Sequence, residues 1–141
     1  MAKVLLDTNV ILDYLSASRP CHGDAVDLLQ HIFEMPGGSA LVPISSLKDA
    51  YCILCKVYGD ESLVRSRLAD FTDVVDLVEL TASVVHAAFA SDEPDFEDAI
   101  VRAMAEMSGA EAIITRDAAA FASSPIPSLS ARGYLELTTS V

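Results

Sequence analysis

Residues 95–117, DFEDAIVRAMAEMSGAEAIITRD, pair an amphipathic helix with a short strand. Phe96, Ala99, Ile100, Ala103, Met104 and Met107 recur at the three- and four-residue spacing that builds one apolar stripe. Gly109 stops the helix, because glycine adopts positive φ without a steric penalty. Ala112, Ile113, Ile114 and Thr115 then form an apolar run of strand type, with Asp117 just past its end. Carboxylates therefore stand at two points of one helix–strand unit: Asp95 and Asp98 in the first helical turn, and Asp117 after the strand. In a parallel α/β sheet the carboxyl ends of strands and the N-termini of the helices that follow share one edge. A crossover helix running antiparallel to its strands starts at that edge, so Asp98 and Asp117 are expected near each other in space.

Toward the N-terminus, Val4, Leu5 and Leu6 are apolar without alternation, the pattern of a central strand buried on both faces. Asp7 closes this strand and a helix follows over 10–15, begun by Thr8 and Asn9. The sequence predicts further helices over 20–34, 45–58, 60–70 and 81–91, and strands over 40–44 and 74–78. Pro43 marks a strand end, since proline cannot donate to the ladder. Ser46 and Asp49 have the spacing of a capping box. Beyond Asp117 the reading is a short helix over 117–121, a loop over 123–127, an edge strand at 128–129 and a closing helix over 131–137. Strands and helices alternate, with two helices in some crossovers. That order predicts a three-layer α/β/α fold: a mostly parallel sheet of four to five strands with helices on both faces.

The chain has 141 residues, which suits one domain spanning 1–141. At 52% hydrophobic residues it is globular. No apolar run is long enough for a membrane span, and MAKVLLD lacks the apolar core of a signal peptide, so a cytoplasmic protein is expected. Nine Lys and Arg against 21 Asp and Glu give a net charge of −12. Such a surface repels nucleic acid at long range and suits divalent cations or a basic partner. Cys52 and Cys55 form C-x-x-C inside a helical pattern, where small buried apolar residues are the expected role. His22, His31 and His86 have no metal-ligand spacing.

Asp7 and Asp117 each end a strand, and Asp49 and Asp98 each open a longer helix; on this topology all four face the carboxyl edge. Each has an ordinary structural explanation, as a helix cap or as a complement to the helix dipole. Together they are harder to explain that way, because carboxylates gathered at one edge repel one another without a counter-charge. One or two hard divalent cations supply it, and Mg²⁺ is typically held by a few carboxylates, waters and substrate phosphates. Two such ions roughly 4 Å apart can activate a water and steady the leaving oxygen of a phosphodiester. Asp13, Asp92, Glu93 and Glu97 are expected on the solvated surface.

VLLDTNVILD at the start, SSLKDAYCILCKVYG after the second strand and DFEDAIVRAMAEMSGAEAIITRDAAAF near the end are in an order that resembles the PIN-domain nucleases, and more narrowly the VapC-type toxins. The resemblance covers nearly the whole chain. It implies a Mg²⁺- or Mn²⁺-dependent ribonuclease acting on single-stranded or structured RNA. Asp7, Asp98 and Asp117 fall on that family's metal-binding acids, with Asp95 an additional acid beside them. Asp49 falls where many members have glutamate, and Asn9 and Thr115 on polar positions that orient water or acidic side chains. A homodimer and an antitoxin whose basic tail fills the acidic cleft are further implications. Lys48 and Arg116 adjoin two of the acids and are candidates for phosphate contact.

Two other phosphate-handling sites also begin with an aspartate after the first strand. A haloacid-dehalogenase-type site needs a second aspartate where this chain has Asn9. A receiver domain needs a phospho-accepting aspartate after its third strand and a lysine after its fifth; residues 77–79 and 123–130 provide neither. The remaining rival is a binding module of the same fold with a weak or dead site.

Overall fold

The structure, a computed structural model, describes residues 2–117 and 119–139. Five strands, β1 (Lys3–Leu6), β2 (Ser39–Pro43), β3 (Asp76–Val78), β4 (Ala112–Ile114) and β5 (Ser128–Leu129), form one sheet in the order β3-β2-β1-β4-β5. Every pairing is parallel; Leu5 lies opposite Leu41 on one side and Ile113 on the other. Among the described residues there are seven helices: α1 (Thr8–Leu15), α2 (His22–Glu34), α3 (Ile44–Tyr58), α4 (Glu61–Thr72), α5 (Ala82–Phe89), α6 (Phe96–Met107) and α7 (Ala131–Thr139).

Side chains alternate across a strand, so a strand covered on both faces must be apolar at every position. β1 shows both halves of this rule. Val4 and Leu6 pack with Val42 and Ile114 against α1, α2, α3, α4 and α7. Leu5 points the other way, with Leu41 and Ile113, into a smaller core closed by Val84 of α5 and Val101 and Met104 of α6. The expected three-layer α/β/α arrangement follows directly. Among the described residues, no helix is long and apolar enough to cross a membrane.

Local signals placed most element ends. Asp60 and Thr81 cap α4 and α5 by accepting the backbone N–H of Leu63 and Val84. Gly109 has φ 72° just beyond α6. Several expectations are corrected. α3 starts at Ile44, directly from Pro43, with no side-chain cap. Ser46 and Asp49 are therefore inside the helix and make no capping box; Asp49 lies in the second turn, ion-paired to Lys48 at 3.1 Å. β3 begins at Asp76 and not at residue 74. The helix expected over 117–121 includes Ala118, which lies outside the described residues, and 119–121 form turns. Phe96 and Met107, assigned to the apolar stripe of α6, are 44% and 56% exposed; the buried stripe is Ala99, Val101, Ala103, Met104 and Ala105. Cys52 is exposed and Cys55 half-buried, so the pair is not the buried one expected.

Candidate functional site

The chain lays β2 and β3 to one side of β1, then crosses to lay β4 and β5 on the other. The strand order reverses between β1 and β4, and in open α/β sheets the crevice at the carboxyl ends of such a pair is where ligands bind. Asp7 and Asp117 stand just past these two strand ends. The backbone N–H of Asp7 still bonds to Ile114 O at 2.9 Å, which carries the β1–β4 ladder up to the site.

One buried hydroxyl joins the two aspartates. Thr115, 2% exposed, donates from Oγ1 to Asp7 Oδ2 at 2.9 Å. The same oxygen accepts the Asp117 backbone N–H at 3.1 Å. Asp7 Oδ1 also accepts the Thr8 N–H at 2.9 Å, which caps α1. Asp117 Oδ1 accepts from the N–H groups of Ala119 and Ala120. Asn9 Oδ1 accepts the Arg116 N–H at 3.2 Å. Asn9 is thus engaged in holding the loop that carries Asp117.

Asp98 comes from the opposite face of the sheet. Asp95 caps α6 by accepting the Asp98 N–H at 3.1 Å, which sets Asp98 in the first turn with its side chain over the crevice. Among the described residues the Asp98 carboxylate has no hydrogen-bond or ion-pair partner. Its pKa is pushed up to about 6, first by desolvation and then by the negative charges of Asp95, Asp7, Glu93 and Asp117. The Asp7 pKa is also raised, by burial above all, with the Thr115 and Thr8 hydrogen bonds opposing and Asp117 adding to the rise. Asp7, Asp98 and Asp117 are near enough for their charges to act on one another.

A cleft of about 540 Å³ opens here, lined on its polar side by Asp7, Thr8, Asn9, Ser45, Ser46, Lys48, Asp49, Glu97 and Asp98 and on its apolar side by Leu12, Ile53, Leu80, Ile100 and Val101. Asp49 is therefore brought to the site from α3, although its charge is offset by Lys48. Asp95 and Asp117 do not line this cleft. Among the described residues no three His, Cys, Asp or Glu side chains converge tightly enough to enclose a metal ion by themselves. The donors are nonetheless all carboxylate oxygens, and an unpartnered, partly desolvated Asp98 beside them suits a hard cation that keeps much of its water.

Two acids expected in solvent are not there. Asp13 is 2% exposed and accepts from Arg19 Nε at 2.9 Å and Arg116 Nε at 2.8 Å. The Glu93 side chain is 3% exposed, paired with Arg102 and accepting the N–H of Phe121 at 3.0 Å. Phe121 has φ 65°, a strained conformation for a side-chain-bearing residue that this carboxylate helps to hold. Arg102 also binds Asp92, Glu106 and the Ser123 carbonyl, tying α6 to the loop after Asp117. A buried carboxylate needs a buried cation, and sequence spacing does not reveal which arginine will supply it.

A family model described as the PIN domain matches residues 3–119. Comparison with curated proteins gives no match. Among solved structures, FitAcB from Neisseria gonorrhoeae superposes with a TM-score of 0.72 at 15% identity, covering 92% of this chain and 98% of that one. VapC20 of Mycobacterium tuberculosis, described as a sarcin-ricin loop cleaving toxin, gives 0.69 at 20% identity, with 85% and 94% covered. A toxin–antitoxin complex from Klebsiella pneumoniae gives 0.67 at 21% identity, with 91% and 97% covered. At such identities these likenesses speak for the fold. The family match spans both strand-end aspartates and the helix that brings Asp98 over them, and on that match the chain belongs to the PIN domain family.

Proposed function

We propose that this protein is a divalent-metal-dependent endoribonuclease, acting in the cytoplasm as a homodimer and as the toxin of a toxin–antitoxin pair. The observation that carries the reading is the unpartnered Asp98 carboxylate at the reversal point of the sheet, its pKa raised to about 6 first by desolvation and then by the charges of Asp95, Asp7, Glu93 and Asp117. A site that concentrates uncompensated negative charge in a 540 Å³ cleft is built for a cation. Asp7, Asp98 and Asp117 are the proposed ligands, with Asp95 adding to the field and Asp49 at the cleft's other wall. When bound, Mg²⁺ or Mn²⁺ supplies an acidified water and charge neutralisation at the phosphodiester. Thr115 keeps Asp7 and Asp117 in register through one hydroxyl, and Asn9 holds the loop between them. Ile53, Leu80 and Ile100 give the cleft an apolar wall against which a base can lie.

The likeness to the Klebsiella pneumoniae toxin–antitoxin complex supports a protein partner for this chain. The acidic cleft favours a partner tail with Arg or Lys in it, and a groove of about 450 Å³, apolar at Tyr14, Leu15, Val26 and Phe71 and charged at Arg67 and Asp70, offers such a partner a second hold. One observation favours the rival reading, a binding module with a weak site: Lys48 and Arg116, the cations next to the acids, are both ion-paired to aspartates. The two are separated by incubating the purified protein with single-stranded RNA in chelator, Mg²⁺ or Mn²⁺. The nuclease reading expects internal cleavage with metal only, abolished in Asp98→Asn. Intact RNA under every metal condition leaves the binding module; cleavage that survives the substitution overturns the assignment of this acid site as the catalytic centre.

A further inference from the structure

We infer that Asp13 is a positioning residue for the acid site, acting through Arg116 to fix the loop that carries Asp117. The inference rests on the metal-nuclease reading and extends it to a residue outside the cleft.

Asp13 cannot touch substrate: its side chain is 3% exposed and it does not line the cleft. Its two partners differ in kind. Arg19 is six residues away, in the turn after α1, and ties that turn back to the helix. Arg116 comes from the far side of β4, and its chain neighbours are Thr115 and Asp117, both members of the site. Asn9 and Asp13 are four residues apart on α1 and so share one helical face. Asn9 takes the backbone N–H of Arg116 at 3.2 Å while Asp13 takes its guanidinium at 2.8 Å. One face of one helix thus grips a single loop residue at both ends, and Asp7 caps the same helix. The separation between Asp7 and Asp117 is set by a rigid element instead of by the loop's own preferences. A buried carboxylate needs partners for both oxygens; Arg19 takes Oδ1 locally, and the partner recruited for Oδ2 is the residue between Thr115 and Asp117.

Mn²⁺ affinity, followed by electron paramagnetic resonance on the full chain, tests this, because charge and position predict opposite signs at Arg116. Removing a cation beside an acidic site strengthens cation binding if only charge matters. Loosening the loop weakens it. Arg116→Ala and Asp13→Asn are each expected to weaken Mn²⁺ binding about tenfold, the low end for residues that orient metal ligands. Arg19→Ala is expected to lower the melting temperature and leave Mn²⁺ affinity unchanged. Arg116 is 41% exposed at its side chain, so its alanine variant folds even where an Asp13 variant does not. Wild-type or tighter Mn²⁺ binding in Arg116→Ala overturns the inference alone. Wild-type protein that binds no Mn²⁺ overturns the nuclease reading and the inference with it.

Discussion

Replacing Asp98 by asparagine should destroy activity and yet stabilise the metal-free protein. Holding a carboxyl near pKa 6 in place of its ordinary 3.8 disfavours the ionised form by about 3 kcal/mol at full strength. Asp98 is only half-buried, so solvent screening reduces this to on the order of 1 kcal/mol. The sign follows from linkage. Below pH 3.8 folded and unfolded chains both hold the proton and there is no penalty. As pH rises toward 6 the unfolded chain ionises first, and the stability present at low pH is lost through that window. Asparagine never ionises. In chelator, Asp98→Asn should therefore match wild type near pH 4 and exceed it by about 1 kcal/mol at pH 8, or roughly 3 °C in melting temperature for a chain of this size. Adding Mn²⁺ to 100 times its dissociation constant stabilises wild type by about 2.7 kcal/mol, so the order of the two proteins inverts. Thermal unfolding followed by circular dichroism across pH, with and without metal, reads both effects. An asparagine variant no more stable than wild type at pH 8 in chelator, or a difference that does not grow with pH, refutes the electrostatic account of the site.

Thr115→Val removes a buried hydroxyl that serves both Asp7 and Asp117, and should cost about 1–3 kcal/mol by urea unfolding; Thr115→Ser should recover most of it, and equal losses for the two would show that the hydroxyl is not what matters. Arg102→Ala strips the cation from the buried Glu93 and should destabilise by about 3–5 kcal/mol, whereas adding Glu93→Gln to it should restore part of the loss; no recovery in the double variant would place the effect elsewhere. Gly109→Ala puts a side chain at φ 72° and should cost about 1 kcal/mol in melting experiments with no change in Mn²⁺ affinity, since it is at the opposite end of α6 from Asp98.

The layering and the acid positions were legible because the information is local. The short unbroken run Val4-Leu5-Leu6 fits a strand covered on both faces, and the spacing from Asp98 through Gly109 to Asp117 marks a helix, a stop and a strand end. The capping box failed because Pro43 closes β2 and opens α3 at once, leaving the Ser46–Asp49 pattern with no helix end to cap. Asp13 and Glu93 resembled surface acids because their partners are not written beside them. Arg116 reaches Asp13 only after β4 has docked on β1, and Arg102 meets Glu93 only once α6 has turned back over the loop before it. The expected metal-binding acids converge electrostatically without closing around an ion, a matter of side-chain placement that spacing does not specify.

The bond from Thr115 to Asp7 spans 108 positions. On the ribosome, domains fold from the N-terminus as chain emerges. Asp7 leaves the exit tunnel well before its threonine partner, which follows 108 positions on, and the adjoining Asp117 comes two codons later. A nascent or truncated product lacking β4 has its middle strand open along one edge and lacks both Asp117 and the hydroxyl that joins it to Asp7. Translation must therefore pass β4 before this centre exists at all.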